Sequence, residues 1–345
     1  MSEAEDPEDE DQELFEHYNI TADKGQEPLR IDKFLMDRIP NTSRTKLHSA
    51  ALDGNIHVNK VAVKPNYKVK PDDEIQIVMP YPQREIELIP QDIPIEILYE
   101  DDTILIVNKA ANMVVHPGYG NYTGTLVNAL VYHFKNLPES EGNQPHRPGL
   151  VHRLDKNTTG VMVIAKTEKA LADLSNQFYE RTIDRRYIAF AWGDIAEDGM
   201  IEGNIGRSLK NRKVMTVFPD GDFGKNALTR YKVIERLNYL TVVECKLETG
   251  RTHQIRAHFK HIGHPLFNDP EYGGNKILKG TTFTKYKQFV INNFDILPRQ
   301  ALHAKKLELT HPVTRERMNF ESPMPDDMTK VLERWRAYIS TRSDQ

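Results

Sequence analysis

Residues 152–160 read HRLDKNTTG, His152 through Gly160, and run directly into the apolar segment Val161-Met162-Val163-Ile164-Ala165. The β-branched run after Gly160 predicts a buried strand, and the polar residues before it predict a turn. An aspartate among cations on such a turn is placed where a rigid sheet can hold a reactive carboxylate. The same residues also suit a purely structural turn, because Asp side chains bond nearby backbone N–H groups. The stretch alone leaves both readings open.

Its letters approach the His-Arg-Asp catalytic loop of protein kinases. Val163-Ile164-Ala165-Lys166, Asp222-Phe223-Gly224 and Gly118-Tyr119-Gly120 add similar fragments. Their order excludes that chemistry, since the nucleotide-binding lysine of a kinase precedes its His-Arg-Asp loop, whereas Lys166 follows Asp155. Leu154 also interrupts the motif, the glycine run from Gly118 to Gly124 is one residue too long, and no Ala-Pro-Glu follows Phe223.

The 345 residues are 39% apolar and 28% charged, an ordinary globular composition with room for two or three domains. No apolar run reaches the roughly 18–20 residues that span a bilayer. The opening MSEAEDPEDEDQELFE carries no secretory-signal pattern, and Cys245 is the sole cysteine, which excludes an intramolecular disulfide and a multi-cysteine metal site. A cytoplasmic protein is the expectation. Residues 1–16 hold nine acidic side chains and no Lys or Arg, so the remaining chain carries 46 basic against 41 acidic residues behind an overall charge of −4. The acidic stretch reads as a solvated, disordered tail, or more sharply as a mimic competing with a polyanion. A mildly basic body permits nucleic-acid binding without demanding it.

From about residue 28 to 80 the pattern predicts a small module of two short helices followed by β-strands. Arg30 to Met36 has helical spacing, a second helix runs from Arg44 to Leu52 behind a candidate Ser43 cap, and short strands flank a turn at Asn59-Lys60. Its nine Lys and Arg exceed its six acids. Ser43, Arg44 and Lys46 at a helix start could meet a phosphate. Residues 80–94, with Pro80, Pro82, Pro90 and Pro94, read as a linker. Beyond them strands and helices interleave irregularly, which predicts an α+β domain with a mixed or antiparallel sheet.

A second dense stretch is LETGRTHQIRAH, Leu247 to His258, where Arg251 and Arg256 could hold a phosphate or pair with a carboxylate. The histidines at 253, 258, 261 and 264 have no recognised zinc spacing.

HRLDKNTTGVMVIAKT together with LETGRTHQIRAH resembles the RluA-type family of pseudouridine synthases, closest to its large-subunit, D-type branch. QDIPIEILYEDDTILIVNK, VVHPGYGNYTGTLVNAL, HPLFNDPEYGG and ALHAKKLELTHP extend the likeness across nearly the whole chain. RIDKFL, SRTKL, DGNIHVN and VKPNYKV resemble the S4 RNA-binding module that precedes the catalytic domain in many members. The resemblance implies an acidic tail at 1–16, an S4-like domain at 17–80, a linker at 81–94 and a catalytic domain at 95–345. That domain would carry a mixed, mainly antiparallel sheet flanked by helices. It implies isomerisation of uridine to pseudouridine in RNA, most directly large-subunit ribosomal RNA, by a monomer with no metal, organic cofactor, membrane or obligate protein partner.

The same resemblance makes Asp155 the catalytic carboxylate, Arg256 its partner and Tyr187 the ring that stacks on the target base. Arg153 would handle the flipped nucleotide and Arg251 a phosphate, while Ser43, Arg44, Lys46 and Lys60 are candidate RNA contacts in the small module. The segment Arg207 to Lys213 is a further candidate. Asn108-Lys109-Ala110-Ala111-Asn112 departs from the family's Asn-Lys-Pro-x-Gly, and Asn157 stands where an acid is common. A non-catalytic ribosome-assembly factor and a transfer-RNA enzyme are the alternative functions.

Overall fold

The structure, a computed structural model, describes residues 15–39, 42, 44–79, 87–118, 120–134, 137–138, 147–208, 211, 214–221 and 223–343. They fall into two compact units that divide after Glu87.

The first unit contains β1 (Phe15–Thr21), β2 (Leu29–Arg30), α1 (Ile31–Met36), α2 (Arg44–Leu52), β3 (Ile56–Val58), β4 (Val61–Ala62), β5 (Lys68–Val69) and β6 (Glu74–Met79). Four strands pair in the order β1-β6-β3-β4, and β2 pairs with β5. Ile31, Phe34 and Leu35 lie at i, i+3 and i+4 and bury one face of α1 against Leu47 and Ala51 of α2 and Ile56, Ile75 and Ile77 of the sheet. The β3–β4 hairpin turns through Asn59 and Lys60, both at positive φ (52° and 71°), the type I′ geometry that matches strand twist. Two findings differ from the sequence expectation. β1 begins at Phe15, inside the stretch read as acidic tail, because Glu16 and its neighbours complete the open edge of β6. Residues 88–93, read as linker, are tied to the larger unit: Gln91 N–H donates to the Asn128 carbonyl (3.0 Å) and Asn128 Nδ2 to the Ile89 carbonyl (2.8 Å).

Asp32 is fully buried in this unit and accepts hydrogen bonds from Arg30, from Arg44 Nε (3.0 Å) and from the Lys33 N–H. Burial alone would raise its carboxyl, but the Arg30 and Arg44 bonds and charges bring it down to about 2 from an ordinary 3.8. A carboxyl depressed on folding stabilises above its unfolded pKa and loses that contribution as pH falls through the folded one. Asp32→Asn should therefore cost about 2 kcal/mol at pH 7. Urea titrations at stepped pH should show the difference from wild type closing between pH ~4 and ~2.

The second unit contains β7 (Glu96–Glu100), β8 (Ile104–Lys109), α3 (Leu126–His133), β9 (Thr159–Ala165), α4 (Glu168–Tyr179), β10 (Asp184–Trp192), β11 (Gly199–Arg207), β12 (Met215–Phe218), β13 (Lys225–Arg236), β14 (Leu240–Leu247), α5 (Gln254–His261), α6 (Thr284–Ile296), β15 (Leu302–Thr310), β16 (Arg317–Glu321) and α7 (Asp326–Ser343). They build a ten-stranded sheet in the order β12-β11-β13-β14-β10-β15-β9-β8-β7, with β16 added on β15. Every pairing is antiparallel except β9 with β15, where Thr159 lies opposite His303 and Gly160 opposite Ala304. The fold is thus α+β with a mixed, mainly antiparallel sheet. Strand alternation sorts the sides: Tyr187, Ala189 and Ala191 join the core under α3 and α5, while Ile188, Phe190 and Trp192 join the core under α6 and α7. β8 and β9 likewise send Ile104, Ile106, Val161 and Val163 against Ala170 and Leu174 of α4. Helices therefore cover both faces. Among the described residues no helix is long and apolar enough to cross a membrane.

The parallel junction positions the loop that carries Asp155. Gly160 sits at φ 115°, and a Cβ there would collide with the Ala304 carbonyl, so glycine alone lets β9 approach β15 this closely. The departure at Asn112 is also explained: it adopts φ 61°, a left-handed conformation that Asn tolerates in place of glycine.

Candidate active site

The segment preceding β9 alternates between anchoring and presentation. His152 Nε2 accepts the Val163 N–H at 3.1 Å and its ring stacks on Phe178, with 4.8 Å between centroids. Burial, helped by the Arg185 charge, lowers the His152 pKa to about 3, so this imidazole is a neutral anchor. Leu154 is buried in the core, Arg153 is exposed between the two, and Asp155 opens onto a cleft.

The next four residues are each held by a buried polar group from elsewhere in the chain. Lys109 Nζ donates to the Lys156 carbonyl (3.0 Å), and also to the Ala110 (2.7 Å) and Met113 (2.9 Å) carbonyls. Arg299 Nη1 donates to the Asn157 carbonyl (3.1 Å) while its Nε and Nη2 grip Asp327 of α7, each at 2.8 Å. Gln300 Nε2 reaches Thr158 Oγ1 at 3.3 Å, and His303 Nδ1 lies 2.9 Å from Thr159 Oγ1. Burial lowers the Lys109 pKa to about 7, the Asp155 charge opposing this and the Arg299 charge adding to it. Such supports fix a reactive side chain before substrate arrives.

The opposite wall comes from α5. Gln254 fixes the turn before it: its Oε1 accepts the Arg251 N–H (2.9 Å) and the Thr249 hydroxyl (2.8 Å), and its Nε2 donates to the Leu228 carbonyl (3.1 Å). Two residues on, the buried Arg256 guanidinium makes a bidentate pair with Asp269 (Nε–Oδ2 2.7 Å, Nη2–Oδ1 2.8 Å), and its Nη1 bonds Asp155 Oδ2 at 3.2 Å. Glu271 also pairs with Nη2, and the guanidinium carbon lies 4.8 Å from the centre of the Tyr272 ring. Burial opposes this charge, but the Asp269 hydrogen bonds and the Asp269, Asp155 and Glu271 charges outweigh it and raise the arginine pKa further. His253 caps α5 in a left-handed conformation (φ 52°), with Nε2 3.7 Å from Asp155 Oδ1 and Nδ1 3.0 Å from the Tyr272 hydroxyl.

These groups surround a cleft of about 450 Å³ whose lining includes Arg153, Asp155, Asn157, His253, Arg256 and Glu271. The volume suits one nucleotide-sized ligand. His116 also lines it; Arg147 Nη2 donates to its Nε2 at 2.7 Å, and burial with the Arg147 and Arg153 charges lowers its pKa to about 4.

Thus Arg256, 101 positions further along the chain, meets Asp155 and its neighbour Arg153 in one cleft. Tyr187 is placed differently. It is buried on β10 beside a bulge at Arg186, packs in the core that holds Leu154 and Ile255, and is not among the residues lining the cleft. Burial raises its hydroxyl pKa, with Arg185 and Asp155 near enough to act on it. Arg251 is half-buried and donates from Nε to the Asn226 carbonyl (3.0 Å). In the first unit Arg44 is committed to Asp32, whereas Lys46 and Lys60 are exposed; Ser43 lies outside the described residues. So do Leu209, Lys210, Arg212 and Lys213 of the basic stretch, and Asp222. Of the histidines in 253–264, His258 is buried 2.9 Å from Thr229 Oγ1 and His264 donates to the Trp192 carbonyl (2.7 Å). Among the described residues no three His, Cys, Asp or Glu side chains converge as metal ligands would.

Asp269, Glu271, Tyr272, Lys109, Arg299, Gln300 and His303 carried no functional signal in the sequence beyond lying in stretches such as HPLFNDPEYGG and ALHAKKLELTHP.

Comparison with known proteins bears on this geometry. The RNA pseudouridylate synthase family profile matches residues 103–261, a span containing Asp155, Tyr187 and Arg256. The chain is 44% identical over 323 residues to an uncharacterized RNA pseudouridine synthase of Chlorobaculum parvum, covering 93% of this chain and 98% of that protein. It is 39% identical to ribosomal large subunit pseudouridine synthase D of Escherichia coli, over 94% of this chain and 96% of that one. The structure resembles human RNA pseudouridylate synthase domain containing 4, with a TM-score of 0.51 and 25% identity over 70% of this chain and 93% of that one.

Proposed function

The chain belongs to the RNA pseudouridylate synthase family, so it is an isomerase acting on uridine in RNA, and on that premise we propose that its target is large-subunit ribosomal RNA and that Asp155 is its catalytic carboxylate. The observation that carries the second part is the asymmetric hold on Asp155: Oδ2 is bonded to a buried guanidinium while Oδ1 faces His253 at 3.7 Å, beyond hydrogen-bond length. One oxygen is fixed and the other is left to react.

The target nucleotide leaves the RNA stack, at a cost of a few kcal/mol, and enters the cleft. Asp155 Oδ1 attacks C1′ or promotes elimination there as the C1′–N1 bond breaks. The uracil leaves with the bonding electron pair on N1 and turns. C5 then bonds to C1′ as the Asp155–C1′ bond breaks or, on the elimination route, as the proton that Asp155 took from C2′ returns there; the C5 proton passes to solvent and N1 gains one. Arg256 offers a permanent counter-charge to the carboxylate. Exposed Arg153, beside Asp155, fills the space vacated by the base or holds the flipped nucleotide, Arg251 meets a phosphate, and Tyr187, which does not line the cleft before RNA binds, stacks on the base once the nucleotide has entered. A monomeric cytoplasmic enzyme is the accompanying expectation. The unit at 15–79 serves as an S4-type RNA contact through Lys46, Lys60 and their basic neighbours.

Support for the ribosomal target is the D-type relatives, named for the large subunit and aligned over nearly their whole length. Mapping pseudouridine in cells with and without this protein tests the reading. Sites lost from large-subunit RNA are expected; sites lost from transfer RNA alone would redirect the assignment, and no lost site would leave a binding factor. A chain lacking residues 1–80 should bind that RNA more weakly or choose targets less strictly, and equal affinity and selectivity would remove the RNA-binding role from the first unit.

A further inference from the structure

Resting on that reading of Asp155, we infer that His253 is a positioning residue for the carboxylate, with its ring proton fixed on Nε2 by the Tyr272 hydroxyl, so that Tyr272, His253 and Asp155 form one proton-ordered line.

The proton assignment follows from counting donors and acceptors. Tyr272 is buried, and its Oη accepts the Met215 N–H at 2.9 Å. The hydroxyl keeps its proton, because burial raises its pKa. That proton needs an acceptor, and His253 Nδ1 lies 3.0 Å from Oη. If Nδ1 carried its own proton, the ring and the hydroxyl would present two protons to each other and the hydroxyl proton would be buried without a partner, which is unfavourable. Tyr272 therefore donates to Nδ1, and the proton of neutral His253 sits on Nε2.

Nε2 faces Asp155 Oδ1 at 3.7 Å, while Arg256 Nη1 holds Oδ2 at 3.2 Å. A tight hydrogen bond to Oδ1 would blunt the oxygen that has to attack; an N–H held slightly too far away orients the carboxylate plane and leaves that lone pair available. The charged groups around the imidazole also favour the neutral form. Burial is the largest influence and lowers its pKa, the Arg256 charge adds to this, and Asp155, Glu271 (4.0 Å from Nδ1) and Asp269 oppose without prevailing. The partial positive charge at the start of α5 acts in the same direction as burial.

The backbone gives independent support. His253 occupies φ 52°, the left-handed region that favours glycine and asparagine. Gly or Asn would relieve that strain, and neither could span from Tyr272 to Asp155. The strain is maintained where the imidazole is needed.

The test measures kcat, KM and pH dependence by release of tritium from C5-labelled uridine in a large-subunit RNA transcript, for Asp155→Asn, His253→Ala, His253→Gln and Tyr272→Phe. Gln keeps an amide N–H near the Nε2 position. His253→Ala should lose kcat by about 100-fold, the scale of one preorganised donor, with KM within about threefold. His253→Gln should recover to within about tenfold of wild type. In Tyr272→Phe the hydroxyl no longer donates to Nδ1, so the histidine pKa rises and the acid limb of kcat moves toward neutral pH. If Asp155→Asn is inactive but the Ala and Gln variants turn over alike, or the Tyr272→Phe profile superimposes on wild type, the positioning role falls and the Asp155 reading stands. If Asp155→Asn itself turns over normally, both fall.

Discussion

Asp155→Asn should reduce pseudouridine formation by at least about 10⁴-fold, the scale seen when a reacting group is removed from an enzyme. The amide is isosteric with the carboxylate and its oxygen can still accept from Arg256 Nη1, now 3.2 Å from Oδ2. The cleft should therefore keep its shape. What disappears is the anionic oxygen that would attack C1′ or take a proton beside it. RNA affinity should stay within about threefold, because most of it comes from phosphate contacts spread over a basic surface. Tritium release from C5-labelled RNA measures the first quantity and filter binding the second. Wild-type turnover by the variant would end the mechanism. A parallel collapse of binding would mean that Asp155 shapes the RNA site instead of reacting in it.

How much of this was legible in the sequence depended on how local each signal was. α2 matches the helix expected over Arg44 to Leu52, and β9 matches the buried strand expected from the unbroken apolar run after Gly160. β11 and β13 carry only a weak strand pattern, since charged and polar residues such as Glu202, Asn204, Lys232 and Glu235 leave few apolar positions in register. β15 escaped because Lys305 and Lys306 sit in its middle, and its pairing with β9 joins residues 144 positions apart, which no local pattern encodes. Asp155 and Arg256 were identifiable through long, ordered motifs. Lys109, Arg299, Gln300 and His303 were not, since each acts on a backbone carbonyl or hydroxyl of the 156–159 loop and leaves no spacing rule behind. Tyr187 shows the converse limit. A motif assigns it to the base, but the strand register buries its ring beside Leu154, so contact with a nucleotide depends on how the base enters.

Arg256→Met should strongly destabilise the second unit. Arg256 is 3% exposed and Asp269, its bidentate partner, is fully buried. A methionine fills similar volume but leaves that carboxylate without a counter-charge, with the Tyr272 N–H at 3.3 Å as a remaining donor. Breaking one side of a buried pair costs about 3–5 kcal/mol, and for a unit of this size that lowers Tm by on the order of 10 °C. Arg256→Lys would keep the charge but lose the planar fork that serves Asp269 and Asp155 together, so its stability should fall between those of wild type and Arg256→Met. The mechanism of the loss can be separated from simple cavity formation. If the unpaired carboxylate is the cause, adding Asp269→Asn to Arg256→Met should return part of the stability, because the buried charge is then gone. If the cause is lost packing against the Tyr272 ring, the second substitution should leave Tm unchanged or lower it. Calorimetry on the two singles and the double decides. A melting point for Arg256→Met within about 2 °C of wild type would show that Asp269 finds another partner. In that case the guanidinium would be held in the cleft for Asp155 alone.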